Sequence, residues 1–282
     1  MKKVLVIIVT YNGMRWLQRC LGSVPAWAQL YVFDNDSTDG SADFVASHFP
    51  SAKLIRSAEN LGFSKPNNLG FEYAVSHGFD YVYLLNQDAW LEEGSLEKLL
   101  AAAQTHPEYG VLSPMQYQDG CQKLDVQFEK LYRRADGQVA EVPRVMAAHW
   151  LVPVPVVERT GLFEEDLFPL YGQDDEWCSR LHFYGLKVGV VQDARAVHDR
   201  AFRDEPLEKT VRRNYYVGSL VRLCNLDGPV FEKFLFVVFF TFVKAFKYRS
   251  LLPFKYFRRI CRELSRVKEH RSRVRMRVQN AR

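Results

Sequence analysis

An unbroken apolar run from Val4 to Val9, closed by Thr10 and broken at Asn12-Gly13, opens the chain. Apolar residues at every position, rather than at alternate ones, mark a strand covered on both faces of a sheet. Trp16, Leu17, Cys20, Leu21 and Val24 follow at helical spacing. The alternation then repeats. Leu30-Tyr31-Val32-Phe33 is a second strand that ends in the polar cluster Asp34 to Ser41, where Asp39 or Ser41 can cap a helix over Phe44, Val45 and Phe49. Lys53 to Arg56 is a short third strand, Asn67 to Val75 a helix, and Tyr81 to Leu85 a fourth strand. Strands separated by helices imply right-handed crossovers and a largely parallel sheet.

The alternation weakens farther on. Glu92 to Gln104 reads as a helix stopped by His106-Pro107, and residues 111–160 as short strands and loops. Val152-Pro153-Val154-Pro155-Val156 is too rich in proline for a central strand. Asp174 to Tyr184 is helical and Lys187 to Val191 a further strand. No internal repeat or low-complexity linker interrupts the pattern.

The strand ends carry the candidate chemistry. Thr10, Tyr11 and Asn12 close the first strand, Asp34 and Asn35 the second, and Asn86-Gln87-Asp88 the fourth. In open α/β sheets the ligand crevice lies beyond the carboxyl ends of the strands. A carboxylate there can hold a divalent cation, and the cation a diphosphate; such residues also serve as ordinary turns and caps. Neither a G-x-G-x-x-G nor a G-x-x-x-x-G-K-[ST] sequence follows any strand, which argues against a dinucleotide fold and a phosphate-loop NTPase. The segment Asn60 to Gly70 leads into a helix whose first amides, with Lys65 beside them, can meet an anionic acceptor. Gly161 to Trp177 sets acidic groups among aromatics, and a carboxylate there, at the start of a helix, suits a general base beside an apolar pocket. His198 is a lone imidazole that can complete a metal site begun by a carboxylate.

Charge divides the chain. Residues 229–282 hold five Lys and ten Arg against three Glu, a local +12, whereas the whole chain carries only +5, so the rest is −7. The stretch Phe231 to Phe246 is strongly aromatic but too short to span a bilayer, and the cations that follow are interleaved with apolar residues. That pattern suits an anionic membrane surface; a dimer-forming helix or a solvated tail would share it, and nothing else favours nucleic acid. Cys20, Cys121, Cys178, Cys224 and Cys261 are scattered, with no C-x-x-C pair, which suits a reducing, cytoplasmic setting. The first apolar run is too short for a secretory leader.

In their order, Val9-Thr10-Tyr11-Asn12, Asp34 to Ser41, Asn60 to Gly70, Leu84 to Asp88, Phe163 to Arg180 and Val197-His198 resemble the inverting family 2 glycosyltransferases of the GT-A fold, and among them the bacterial rhamnosyltransferase-like branch. The resemblance runs from Val4 to about Asn214. It implies a GT-A type nucleotide-binding domain of class α/β over residues 1–228, with a mostly parallel central sheet, and a basic amphipathic helical tail over 229–282. It implies metal-dependent (Mn2+ or Mg2+) sugar transfer from a nucleotide-diphosphate sugar, dTDP- or UDP-linked, to a glycan or lipid-linked glycan acceptor in cell-surface polysaccharide synthesis. The setting would be the inner face of the cell membrane, with self-association left open. Carried over by position, Thr10, Tyr11, Asn12 and Asp34 line the base and ribose pocket, and Asn60 and Asn68 reach the nucleotide from the other side. Asp88 is the metal ligand of a D-x-D-like element, with Asn86 nearer the sugar or ribose. His198 supports metal and diphosphate, Asp174 is the general base, and Arg213 contacts phosphate. Two departures stand out. Gln173 replaces the expected Glu before the base, leaving Asp175 and Glu176 as substitutes for its charge, and Lys65-Pro66 replace small glycines. The Gln173 departure supports the alternative of a non-catalytic GT-A-like scaffold in a membrane-associated complex.

Overall fold

A computed structural model of the chain describes residues 2–120, 122–199 and 206–280, so Cys121 lies outside the described residues. Strands β1 (Val4–Thr10), β2 (Gln29–Asp34), β3 (Lys53–Arg56) and β4 (Tyr81–Leu85) alternate with helices α1 (Met14–Gly22), α2 (Ser41–His48) and α3 (Ser64–Ser76). β1 lies between β2 and β4, parallel to both, and β3 adds parallel to β2. The register sets Thr10 opposite Asp34, so the polar ends of β1 and β2 emerge side by side.

The second half is mixed. It comprises β5 (Ala89–Leu91), α4 (Ser95–Thr105), β6 (Tyr109–Tyr117), α5 (Val126–Leu131), β7 (Val139–Glu141), β8 (His149–Pro153), α6 (Val154–Thr160), α7 (Gln173–Phe183) and β9 (Lys187–His198). The sheet order is β3-β2-β1-β4-β8-β6-β9-β5, with β7 on β9. β8 is antiparallel to β4 and β6, β9 is parallel to β6, and β5 and β7 are antiparallel to β9. The parallel character expected of the sheet is thus complete in its first four strands and interrupted by β8, β5 and β7. The proline-rich 152–156 segment also departs from expectation, because β8 is central. Val152 pairs with Val82, Pro153 takes the last strand position, and Pro155 falls in the first turn of α6, where its missing N–H costs nothing.

Two apolar layers cover the sheet. Leu5, Ile7, Phe71, Trp150 and Trp177 belong to one, and Val6, Ile8, Leu17, Leu21 and Leu99 to the other. Beyond β9, α8 (Leu207–Val211) runs into a π-helical turn at Arg212–Val217 and then α9 (Gly218–Cys224), α10 (Val230–Tyr248) and α11 (Leu252–Asn280). A third core joins Phe168, Tyr215, Leu220 and Leu223 to Val237 of α10 and to Tyr256, Ile260 and Val267 of α11. Val274 of α11 reaches the first core. Packing therefore does not stop at residue 228. The outer side of α10 shows Phe231, Leu235, Phe239, Phe242 and Phe246 to solvent, the last 88% exposed. Among the described residues no helix is long and apolar enough to cross a membrane.

Candidate active site

At the carboxyl edge of the sheet the first and fourth strands are stapled by one side chain. Gln87 Oε1 accepts from Thr10 Oγ1 and from the Tyr11 amide, both at 2.8 Å, and Gln87 Nε2 donates to Tyr11 O at 3.2 Å. Gly13 follows because a Cβ there would collide with Gln87 Oε1 and Thr10 Oγ1. Asn12, with φ of 49°, receives no steric relief from glycine, but its side chain compensates: Oδ1 accepts from the Thr38 amide at 2.9 Å. Asp34 is buried at the end of β2; its Oδ1 accepts from the Ser37 amide at 3.1 Å, whereas its buried Oδ2 has no hydrogen-bond partner among the described residues. A buried carboxylate oxygen without a donor costs free energy, so this atom is poised for a ligand hydroxyl or N–H. Asn60 is tied to Asn35, whose Nδ2 donates to Asn60 Oδ1 at 3.0 Å.

The fourth strand leads directly to Asp88. Its Oδ1 lies 3.5 Å from His198 Nε2, and both residues are buried. The pairing of Ala89 with His198 in the β5–β9 ladder fixes this approach, since His198 is the last residue of β9 rather than lying beyond the strand. Behind it, His149 bridges Tyr83 OH at 2.9 Å and Val197 O at 3.0 Å, and burial lowers its pKa to about 3. The ring is therefore neutral: one nitrogen donates to the carbonyl and the other accepts from the phenol. Among the described residues no three His, Cys, Asp or Glu side chains converge into a complete metal site. The carboxylate of Asp88 and the imidazole of His198 nevertheless fit a divalent transition metal such as Mn2+, with substrate phosphates completing its shell.

The segment between β7 and β8 links this edge to the acidic helix. Ala148 O accepts from the Asn86 amide at 3.0 Å, and Arg144, four residues upstream, pairs with Asp175. Asp174 is half-buried at the start of α7. Burial, then the neighbouring Asp175 charge, pushes its carboxyl up to about 7, into the range of a general base. Below it Trp177 stacks on Trp150 at 5.6 Å and meets Phe163 edge-on at 5.8 Å, forming the apolar floor. Glu176 cannot replace the charge missing at Gln173. Burial alone would raise its pKa, but Arg180 and His270 outweigh burial and hold it at about 2, tied into an ion cluster away from Asp174. Gln173 Oε1 is itself buried without a partner among the described residues.

Other expectations change in place. At the start of α3, Phe63 N and Ser64 N both donate to Pro169 O, at 2.6 and 3.1 Å, which leaves the Lys65 amide as the one of its first amides that could meet an anion. Asn68 is buried, and its amide is spent on Phe163 and Glu165, receiving from Phe163 N at 2.9 Å and donating to Phe163 O at 3.0 Å and Glu165 Oε2 at 2.8 Å. Its geometry fixes the 163–165 loop instead of reaching a nucleotide. Arg213 sits in the π-helical turn whose Val217 packs against Gly172, the residue before Gln173. His149 and His270 were not singled out by sequence, and Gln87 was named only as part of the Asn86-Gln87-Asp88 strand end, without its role as a staple.

The arrangement is that of a GT-A glycosyltransferase. The model of glycosyl transferase family 2 matches residues 5–146, and the chain belongs to that family. The dTDP-rhamnosyl transferase RfbF of Shigella flexneri is 24% identical over 228 residues, covering 76% of this chain and 77% of that protein. The N-acetylglucosaminyl-diphospho-decaprenol L-rhamnosyltransferase of Mycobacterium tuberculosis is 32% identical over 123 residues, 39% of this chain and 40% of its own length. Among solved structures, S. aureus TarS residues 1–349 in complex with UDP superposes with a TM-score of 0.59 at 18% identity, over 82% of this chain and 68% of that one. GalNAc-T7 with UDP, GalNAc and Mn2+ gives 0.57 at 14% identity, over 82% and 52%. These structural likenesses show the fold.

Proposed function

We propose that the chain is a metal-dependent, inverting glycosyltransferase that moves a sugar from a nucleotide-diphosphate donor, dTDP- or UDP-linked, to a hydroxyl of a lipid-linked glycan at the inner membrane surface. The observation that carries this reading is the buried, unpartnered Asp34 Oδ2 on the same sheet edge as the Asp88–His198 pair, with a high-pKa Asp174 across a shared loop. Thr10, Tyr11, Asn12 and Asp34 frame the base and ribose, Asn60 reaches them with its Nδ2, and Asn86 orients the sugar. Asp88 and His198 would hold a divalent cation, which when bound supplies electrostatic stabilisation of the departing diphosphate. Arg213 adds a positive charge toward the same phosphates. Asp174 accepts the acceptor's hydroxyl proton as its oxygen attacks the anomeric carbon from the face opposite the leaving group. One displacement then inverts that carbon, as base-assisted attack does in inverting hydrolases. The donor base is supported by the dTDP and UDP in the names of the relatives above, and the lipid acceptor by the diphospho-decaprenol in another.

A thermal-shift series with nucleotide diphosphates and Mn2+ tests the reading, followed by transfer assays. Asp88→Ala should remove the metal-dependent shift and the transfer. Asp174→Asn should keep the shift and lose about 10²–10⁴-fold in rate, the usual contribution of a positioned base. Full transfer by both variants would sink the assignment, and a non-catalytic scaffold would show no metal-dependent nucleotide binding at all.

A further inference from the structure

An open cleft of about 1150 Å³ lies between α8, the π-helical turn and the first turns of α11. Six cations line it: Lys209, Arg212, Lys255, Arg258, Arg259 and Arg262. Its two carboxylates are already engaged, Glu208 with Lys255 at 2.9 Å and Glu263 with Arg266 at 3.0 Å. Arg259 is held over the Tyr216 ring at 4.9 Å. Lys209, Arg258 and Arg262 have no carboxylate partner among the described residues, and Arg212 Nε is buried there without an acceptor. A buried guanidinium N–H in want of an acceptor, among cations that outnumber the acids, calls for a multiply charged oxyanion, and phosphate matches the guanidinium fork.

The rim of the same cleft is apolar. Leu251 and Phe254 line it, Leu251 with 78% of its surface exposed. Phe254 meets Phe242 edge-on at 5.3 Å, which joins the cleft to the exposed stripe of α10. A contiguous exposed apolar strip beside a cationic pocket describes a ligand with a phosphate head and a hydrocarbon chain.

We propose that this cleft seats the phosphate or diphosphate head of a membrane lipid, with its hydrocarbon running over Leu251, Phe254, Phe242 and Phe246. The assignment rests on the proposed lipid-linked acceptor and gives it a second anchoring point, outside the donor crevice. Glu263 is paired with Arg266, which leaves Arg258, Arg262 and Arg212 for the phosphate.

The test is equilibrium binding of farnesyl diphosphate to the full chain, with inorganic pyrophosphate, farnesol and a short single-stranded RNA as comparison probes and saturating UDP and Mn2+ present throughout. The wild type should bind farnesyl diphosphate at least tenfold tighter than pyrophosphate or farnesol. Arg258→Glu with Arg262→Glu should weaken that binding at least tenfold, and Phe242→Ser with Phe246→Ser should bring it down to the pyrophosphate level; UDP binding should be unchanged in both. Undiminished farnesyl diphosphate binding in the charge-reversed variant overturns the site, and so does equal affinity for pyrophosphate, or tighter binding of the RNA. Farnesyl diphosphate binding that persists in a wild type unable to bind nucleotide diphosphates would uphold the cleft while removing the proposed donor.

Discussion

Gln87 accepts from both Thr10 and the Tyr11 amide, so the mouths of β1 and β4 are held at a fixed spacing by one amide group. Gly13 exists to leave room for it. Gly13→Ala should push Gln87 off those donors, cost about 1–2 kcal/mol of stability, and weaken nucleotide diphosphate binding by titration calorimetry while leaving a cooperative melt. Asp174 gives a second prediction at this scale. Its folded pKa, about 7, lies above its ordinary 3.8, so the folded protein binds the proton more tightly than the unfolded chain. Stability therefore falls as pH rises through that window, while the fraction of unprotonated base climbs. Transfer rate should rise with pH up to about 7, and Asp174→Asn, though slowed about 10²–10⁴-fold, should melt higher than wild type at pH 8. A variant that melts lower there would contradict the sign. Asp34 and Asp88 stand out in the sequence because polar residues closing apolar runs are local signals, and Asp174 because it opens a helix beside a stretch of aromatics. The roles of Gln87 and His149 do not, because what defines them is a partner many residues away.

Among the elements, the strands of the first half were legible nearly to the residue, since an uninterrupted apolar run admits few alternatives. β8 was not, because its prolines fall at a strand end and a helix start that only the three-dimensional order reveals. At the start of α3 the sequence does not disclose that a carbonyl, Pro169 O, already accepts from the Phe63 and Ser64 amides. One contact of α11 joins it through charge to α7 and to the loop before it. His270 sits between Glu164 and Glu176, each at 2.9 Å, with Arg180 and Arg273 completing the cluster. Burial lowers the affinity of His270 for its proton, but the two carboxylates outweigh burial and raise its pKa above the ordinary 6.5. Its contribution is complete below 6.5 and is lost as pH rises through the raised value. Glu176, held at about 2, contributes above its ordinary 4.5 and loses that contribution as pH falls toward 2. His270→Ala should cost about 2–3 kcal/mol near neutrality, less than a fully orphaned buried pair because Arg180 and Arg273 remain. Its melting temperature should also decline less than that of wild type between pH 6.5 and 9.

For the whole molecule, the division at residue 228 that charge suggests is crossed by packing. Tyr256, Ile260, Val267 and Val274 are all buried, and at about 1.5–3 kcal/mol for each such side chain their loss rivals the net stability of an ordinary domain. Residues 1–228 expressed alone should show no cooperative melt, whereas the full chain should. Composition drew the boundary because +12 on a short tail is conspicuous, while the apolar positions that dock it are spread thinly among those charges. The overall α/β class is independent of that boundary, since it depends on the strand–helix alternation alone.

The ion cluster around His270 bears on the exchange of one tail for another as well as on stability. Glu164 and Glu176 belong to the body, while His270 and Arg273 belong to the last helix. A C-terminal hairpin grafted from another chain without those two cations would leave acidic groups sealed beside α7 with part of their neutralisation gone. Body and tail are thus matched at these four positions, and a replacement tail would need either cations at 270 and 273 or the loss of the carboxylates at 164 and 176.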